Sequence, residues 1–183
     1  MLLRSLPNAL TIFRLGSSPI VAWLLLGSRF REALALVLFA GLTDWFDGYA
    51  ARKLGAGGNL GTVLDPLADK ILLVTLFVVL GVLHLIPFWL LALAVGRDLV
   101  IVTGALLLRI FRNRQRFVPS LLGKISTFFQ IVFVLLVLVA ASFPNPPFCW
   151  LRNIALVLTS VFTTWSGLDY VHRGIPCHPA IHR

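Results

Sequence analysis

The chain has 183 residues, of which 58% are hydrophobic and 13% are charged, and its formal net charge at pH 7 is +9. This composition excludes a disordered chain and is far too apolar for an ordinary soluble domain. A basic excess is also found in nucleic-acid-binding proteins, but the apolar segments leave no soluble basic domain, so we expect no nucleic-acid partner.

Apolar segments follow one another along nearly the whole chain. Each is near the roughly 20 residues needed to cross a bilayer, and they cover about 8–27, 32–53, 61–83, 87–108, 121–142 and 148–171. We therefore predict an all-α polytopic membrane protein, with a single membrane domain over residues 1–183, six transmembrane helices and a short N-terminal interfacial segment. Pro144, Pro146 and Pro147 predict a turn before the sixth span.

The basic residues predict the orientation in the membrane. One side of this topology holds Arg4, Arg14, Arg52, Lys53, Arg109, Arg112, Arg114, Arg116, Lys124, Arg173 and Arg183, whereas the other side holds Arg29, Arg31 and Arg152. Cytoplasmic segments carry the excess of Lys and Arg, so both termini are predicted to be cytoplasmic. The basic loop between the fourth and fifth spans then faces anionic lipid headgroups.

Polar residues recur along one face of the predicted first span. Asn8, Thr11 and Arg14 are spaced three residues apart, which is helical spacing. Two interpretations remain open for this face. It caps the helix and reaches the interface by snorkelling, or it turns toward an acidic site and holds an anionic substrate.

Four of the seven acidic residues fall at the end of the second span and the start of the third. Asp44 and Asp47 are three residues apart, and Asp65 and Asp69 are four apart, so each pair shares one face if both segments are helical. Converging carboxylates repel one another unless divalent cations neutralise them, and oxygen ligands select Mg²⁺, Mn²⁺ or Ca²⁺. The spacing predicts a carboxylate metal site within the membrane or at its interface.

Other residues near these carboxylates have two interpretations each. Gly48 and Ala51 permit close helix packing or close approach of a ligand, and Arg52 marks the end of the span or binds a phosphate. In the fourth span, Arg97 and Asp98 form either a structural ion pair or part of a polar cavity for an acceptor headgroup.

Residues 44–69, here called the aspartate motif, read D-x2-D-G-x2-A-R-x8-G-x3-D-x3-D. This pattern is similar to the signature of the CDP-alcohol phosphatidyltransferase family at every fixed position. The resemblance implies a homodimer with a cytoplasm-facing cavity and two divalent cations, Mg²⁺ or Mn²⁺. It also implies transfer of the phosphatidyl group of CDP-diacylglycerol to an alcohol with release of CMP.

The resemblance also assigns roles to single residues. The metal-binding positions are Asp44, Asp47, Asp65 and Asp69, and Asp69 is in addition the catalytic base. The positions that resemble the CDP-binding set are Gly48, Ala51, Arg52, Gly61, Asn8 and Thr11. The positions expected to bind the acceptor are Arg14, Arg97, Asp98 and Lys124.

Three further segments resemble the branch of the family that uses glycerol-based acceptors. They begin at Pro7, Gly123 and Ser166. Members that use glycerol 3-phosphate tend to have Arg-Glu at the position of Arg97-Asp98 and a second lysine at that of Ser126. Losing that lysine weakens a pocket for a phosphomonoester, so we predict phosphatidylglycerol as acceptor, giving cardiolipin, with glycerol 3-phosphate as the alternative.

Two functions of other classes compete with an enzyme. A membrane transporter would use the same carboxylates to carry a cation, but Arg52 beside Gly48 and Ala51 suits a nucleotide phosphate better than a bare ion. A purely structural role, with the aspartates as helix caps, leaves unexplained why the acids share two helix faces.

Overall fold

The computed structural model of the chain describes residues 16–54, 61–111 and 121–174, and within them the side chains of 16–43, 70–103 and 121–169. The regular secondary structure in these ranges consists of helices joined by short turns. The helices are α1 (Gly16–Leu26), α2 (Phe30–Leu54), α3 (Gly61–Val82), α4 (Phe88–Phe111), α5 (Leu121–Ser142) and α6 (Pro146–Gly174). The predicted all-α class is confirmed for this part of the chain.

The start of α6 differs from the prediction. The sequence predicts a turn through Pro144, Pro146 and Pro147, whereas α6 already begins at Pro146 and continues to Gly174. Proline fits the first helical turn because its φ is fixed near the helical value and its missing N–H has no partner there. The Asn145 carbonyl accepts the first backbone hydrogen bonds of the helix, at 3.1 and 3.3 Å. The turn prediction is therefore wrong for Pro146 and Pro147.

Helices α1 and α3 end in the same way. Each is followed by a non-glycine residue in the left-handed conformation, Ser28 and His84, both with φ of 57°. In each case the next N–H donates to the carbonyl five residues earlier, at 2.9 and 3.0 Å. This is the pattern that closes a helix and reverses the chain. Both reversals lie at the end of the bundle away from the aspartate motif.

The core lies around α5, which packs on α2, α3 and α6, while α4 packs on α3 and α6. Its largest fully buried apolar side chains are Leu25, Phe77, Leu80, Leu90, Phe133 and Leu138. The rings of Phe77 and Phe133 lie 6.4 Å apart between centroids, joining α3 to α5. This packing fixes the rotation of α3 about its axis, and the same helix carries Asp65 and Asp69 in its first turns.

Large apolar side chains also cover the outside of the bundle. Exposed examples from five helices are Trp23, Phe39, Val102, Phe128, Trp150 and Trp165. In the described ranges, α5 is the one helix both long and apolar enough to cross a membrane, with 22 residues and a mean hydropathy of 2.4. Two further apolar helical stretches, Gly16–Leu26 and Lys70–Val82, are shorter. The predicted number of six spans therefore stays a prediction.

Candidate active site

The two halves of the aspartate motif lie on α2 and α3. Asp44 and Asp47 lie in the last three turns of α2 together with Gly48, Ala51 and Arg52. Helix α3 begins at Gly61 and contains Asp65 and Asp69. A helical backbone in both segments is the condition under which residues three or four apart share one face. The metal-site prediction assumes a helical backbone in both segments, and α2 and α3 provide it.

The donor types of the motif fit hard divalent cations, since its four acidic residues offer carboxylate oxygens. The side chains of the motif lie outside the described ones, so their convergence on shared cations stays a prediction. Asn8, Thr11 and Arg14, predicted to bind the nucleotide and the acceptor, lie outside the described residues altogether. Among the side chains that are described, no group of three or more potential metal ligands occurs.

A largely buried ion cluster includes the residue that directly follows the motif. It consists of Lys70 on α3, Arg97 and Asp98 on α4, and Ser166 on α6. The ammonium group of Lys70 lies 2.5 Å from the Asp98 carboxylate, which also accepts a hydrogen bond from Arg97 Nη1 at 2.7 Å. One carboxylate is thus shared by two cations from different helices, and it ties the start of α3 to α4.

The other contacts of Arg97 extend the ion cluster to α5 and α6. Its Nη2 atom donates to the Gly123 carbonyl at 2.9 Å and to Ser166 Oγ at 3.0 Å. The side chains of Arg97 and Asp98 are only 4% and 10% exposed. Burial at this level is costly for a charge without a partner, so the ion pair and its hydrogen bonds have to form together as the bundle packs.

These contacts correspond to the ion-pair interpretation of Arg97 and Asp98. A direct role of either residue in acceptor binding stays a prediction. Lys124, the remaining predicted acceptor residue on a described helix, is exposed on α5 beside Gly123. Sequence reasoning missed Lys70 as a member of the cluster. The available signal was an ionisable residue opening a long apolar run, which requires a partner inside the bundle.

Two further hydrogen bonds join α5 to α6. Ser126 Oγ donates to Thr163 Oγ1 at 3.2 Å, and Gln130 Nε2 donates to the same oxygen at 3.4 Å. All three side chains are buried. Ser126 is the position at which a second lysine is expected in users of glycerol 3-phosphate. In this chain its hydroxyl instead bonds α5 to α6.

The chain is similar to known proteins over most of its length. A family model described as CDP-alcohol phosphatidyltransferase matches residues 4–165. The human protein named cardiolipin synthase (CMP-forming) is 32% identical over 191 residues, covering 93% of this chain and 62% of the human protein.

Two bacterial relatives bear another name, CDP-diacylglycerol–glycerol-3-phosphate 3-phosphatidyltransferase. The protein from Aquifex aeolicus is 32% identical over 179 residues, which cover 93% of this chain and 96% of that protein. The protein from Bacillus subtilis is 32% identical over 187 residues, which cover 91% and 93%. The chain spans between 18% and 62% of the length of four other curated relatives that it matches. Because the matched residues 4–165 include the whole aspartate motif, the chain belongs to the CDP-alcohol phosphatidyltransferase family.

Proposed function

We propose that the protein transfers the phosphatidyl group of CDP-diacylglycerol to the hydroxyl of a glycerol-type acceptor and releases CMP. The observation that carries this proposal is the unbroken aspartate motif, divided between two helical segments of a chain whose family is named for this reaction. A cation-carrying transporter would not need the phosphate-binding residue types within that motif.

The four aspartates are proposed to hold two divalent cations, Mg²⁺ or Mn²⁺. Bound there, the cations would screen the diphosphate and stabilise the charge that develops on the departing CMP. Asp69 accepts the proton of the attacking acceptor hydroxyl as general base. The bond that forms joins this acceptor oxygen to the phosphorus of the phosphatidyl group, and the bond that breaks joins that phosphorus to the CMP oxygen.

The nucleotide half of the substrate is proposed to lie against the helices at Gly48, Ala51 and Gly61. Small residues allow a ligand to approach the backbone closely. Arg52 adds a cation for the phosphates, and its planar guanidinium suits their paired oxygens. Asn8 and Thr11 complete the proposed CDP-binding set.

Phosphatidylglycerol is the proposed acceptor, which makes cardiolipin the product. Ser126 supports this choice, because it places a hydroxyl, bonded to Thr163, at the position where a phosphomonoester pocket is expected to have a cation. Glycerol 3-phosphate is the second candidate, and the almost complete coverage of the Aquifex and Bacillus relatives, 96% and 93%, favours it. Arg14, Arg97, Asp98 and Lys124 are the residues proposed to contact or border the acceptor.

We further propose that all six helices are embedded in a membrane with both termini cytoplasmic, and that the protein is a homodimer. The apolar outer surface supports embedding, since a soluble bundle would bury such residues. Exposed aromatic residues at the end of the bundle away from the motif are typical of a membrane interface, and they are Trp23, Phe88, Trp89 and Trp150. The motif would then face the cytoplasm.

The test is CMP release by the purified protein from CDP-diacylglycerol with Mg²⁺ or Mn²⁺, comparing phosphatidylglycerol with glycerol 3-phosphate. Asp69→Asn is expected to lower turnover by at least about a hundredfold, because the amide cannot accept the proton. Glu32→Gln is the matched control, since it removes an exposed carboxylate at the opposite end of α2. Full turnover by Asp69→Asn would contradict the mechanism. Cation flux into liposomes without CMP release would favour the transporter.

A further inference from the structure

A cavity of about 410 Å³ lies at the end of the bundle opposite the aspartate motif. Its walls come from the turn between α3 and α4 and from the second and third turns of α6, with α5 behind them. Helix α3 has 22 residues and spans about 33 Å, so this cavity is remote from the proposed transferase site.

The lining of the cavity includes hydrogen-bond donors. Its polar lining residues are His84, Arg152 and Asn153, and none of the described lining residues is acidic. Arg152 Nη2 donates to Asn153 Oδ1 at 3.3 Å, and the amide of Asn153 carries in addition a nitrogen that can donate. A guanidinium, an imidazole and an amide together suit a group with several acceptor oxygens and a negative charge, as in a phosphate.

His84 enters the lining of the cavity through the turn that closes α3. This residue follows α3 in the left-handed conformation, as Ser28 follows α1, with φ of 57° in both cases, and such a residue commonly closes a helix. The backbone bonds of the reversal hold it there, with the His84 N–H 3.0 Å from the Gly81 carbonyl. The reversal thereby holds the backbone of His84 where its side chain lines the cavity.

Other parts of the lining are apolar. Phe133 is fully buried, Ile86 is 4% exposed, and Leu156 completes this surface. Beside the opening, Phe88 is 76% exposed. A free phosphate ion would gain nothing from contact with these apolar side chains, whereas an amphipathic molecule would contact both the donors and the apolar wall.

We propose that this cavity binds the phosphate headgroup of a membrane phospholipid at the end of the bundle away from the motif. The volume accommodates a phosphate and its glycerol. The acyl chains would then lie along the exposed apolar surface that includes Phe88 and Trp89. This inference rests on the proposed membrane embedding and is independent of the transferase reaction.

The experiment uses the full chain in nanodiscs with a photoactivatable phosphatidic acid that carries a diazirine close to its glycerol. Labelled peptides are identified by mass spectrometry. We expect labelling of the segments around His84 and Arg152, reduced about tenfold in Arg152→Gln by the loss of a charge-assisted hydrogen bond. Arg29→Gln is the matched control, because this exposed arginine at the same end pairs with Glu32 outside the cavity, and its labelling should equal that of the wild type.

A second variant, Asn153→Leu, keeps the size of an exposed side chain while removing its amide, and it should also reduce the labelling. Unchanged labelling in both Arg152→Gln and Asn153→Leu would overturn the proposal, as would labelling confined to other segments. Competition by unlabelled phosphatidic acid supports a lipid ligand. Equal competition by inorganic phosphate would instead overturn the lipid assignment. The readout does not involve CMP release, so its failure is separate from failure of the transferase proposal.

Discussion

Replacing Asp98 by asparagine removes the carboxylate that Lys70 and Arg97 share in the ion cluster. At an effective dielectric constant of about 20, unit charges about 4 Å apart attract each other by about 4 kcal/mol. Desolvation offsets much of this attraction, yet breaking a buried ion pair typically costs about 3–5 kcal/mol. Asparagine keeps an oxygen that accepts a hydrogen bond, so we expect the lower value, about 3 kcal/mol.

The two cations of the cluster are expected to respond unequally. Lys70 is 32% exposed, and Asp98 keeps its bond to Arg97 when Lys70 is lost. Lys70→Met should therefore cost only about 1 kcal/mol. In the Lys70→Met, Asp98→Asn double variant, the loss should be close to that of Asp98→Asn alone, because Asp98→Asn already removes the ion pair that Lys70 makes with Asp98.

The assay is thermal unfolding of the purified variants in one detergent at one protein concentration. A loss of about 3 kcal/mol corresponds to a decrease in Tm of roughly 6–12 °C for a chain of this size. The reasoning would be refuted if Lys70→Met lowered Tm as much as Asp98→Asn, or if the losses of the two single variants added in the double variant.

Two further predictions concern the described packing. Thr163→Val removes the oxygen to which two buried donors of α5 bond, and it should cost about 1–3 kcal/mol in thermal unfolding. The control Thr164→Val lies on the exposed face of the same helix and should change stability by less than about 0.5 kcal/mol. Gly81→Ala places a Cβ atom 2.8 Å from Leu91 Cδ2, so it should destabilise the protein by about 1 kcal/mol or more. Gly41→Ala meets nothing within 4 Å and should be neutral or stabilising by up to about 1 kcal/mol; the reverse order of the two glycine variants would contradict the described packing.

The positions of the helices could be predicted from the sequence because the signals are local. A run of apolar residues of fixed length, interrupted by glycine, proline or charge, fixes where a helix begins and ends to within a few residues. The bounds of α5, Leu121–Ser142, coincide with the predicted segment. Helix α6 was predicted too short because a proline signal was assigned to a turn, although Pro146 is equally suited to a first helical turn.

The partners of the buried charges could not be predicted in this way. Lys70 and Asp98 are 28 residues apart in the chain, and Arg97 and Ser166 are 69 apart. Nothing in the local pattern of α3 states which helix its lysine contacts, because that depends on how far each helix is rotated about its axis and on the angle at which helices cross.

The sequence by itself determined the helical class, the family and the pairing of aspartates along each half of the motif, since all three depend on spacing within one segment. Tertiary structure alone decided that Asp98 lies between two cations, that Ser126 turns toward Thr163, and that the turn at His84 meets α6 around a cavity. These contacts depend on the packing of helices distant in sequence, where burial and shape rather than local propensity select the neighbours.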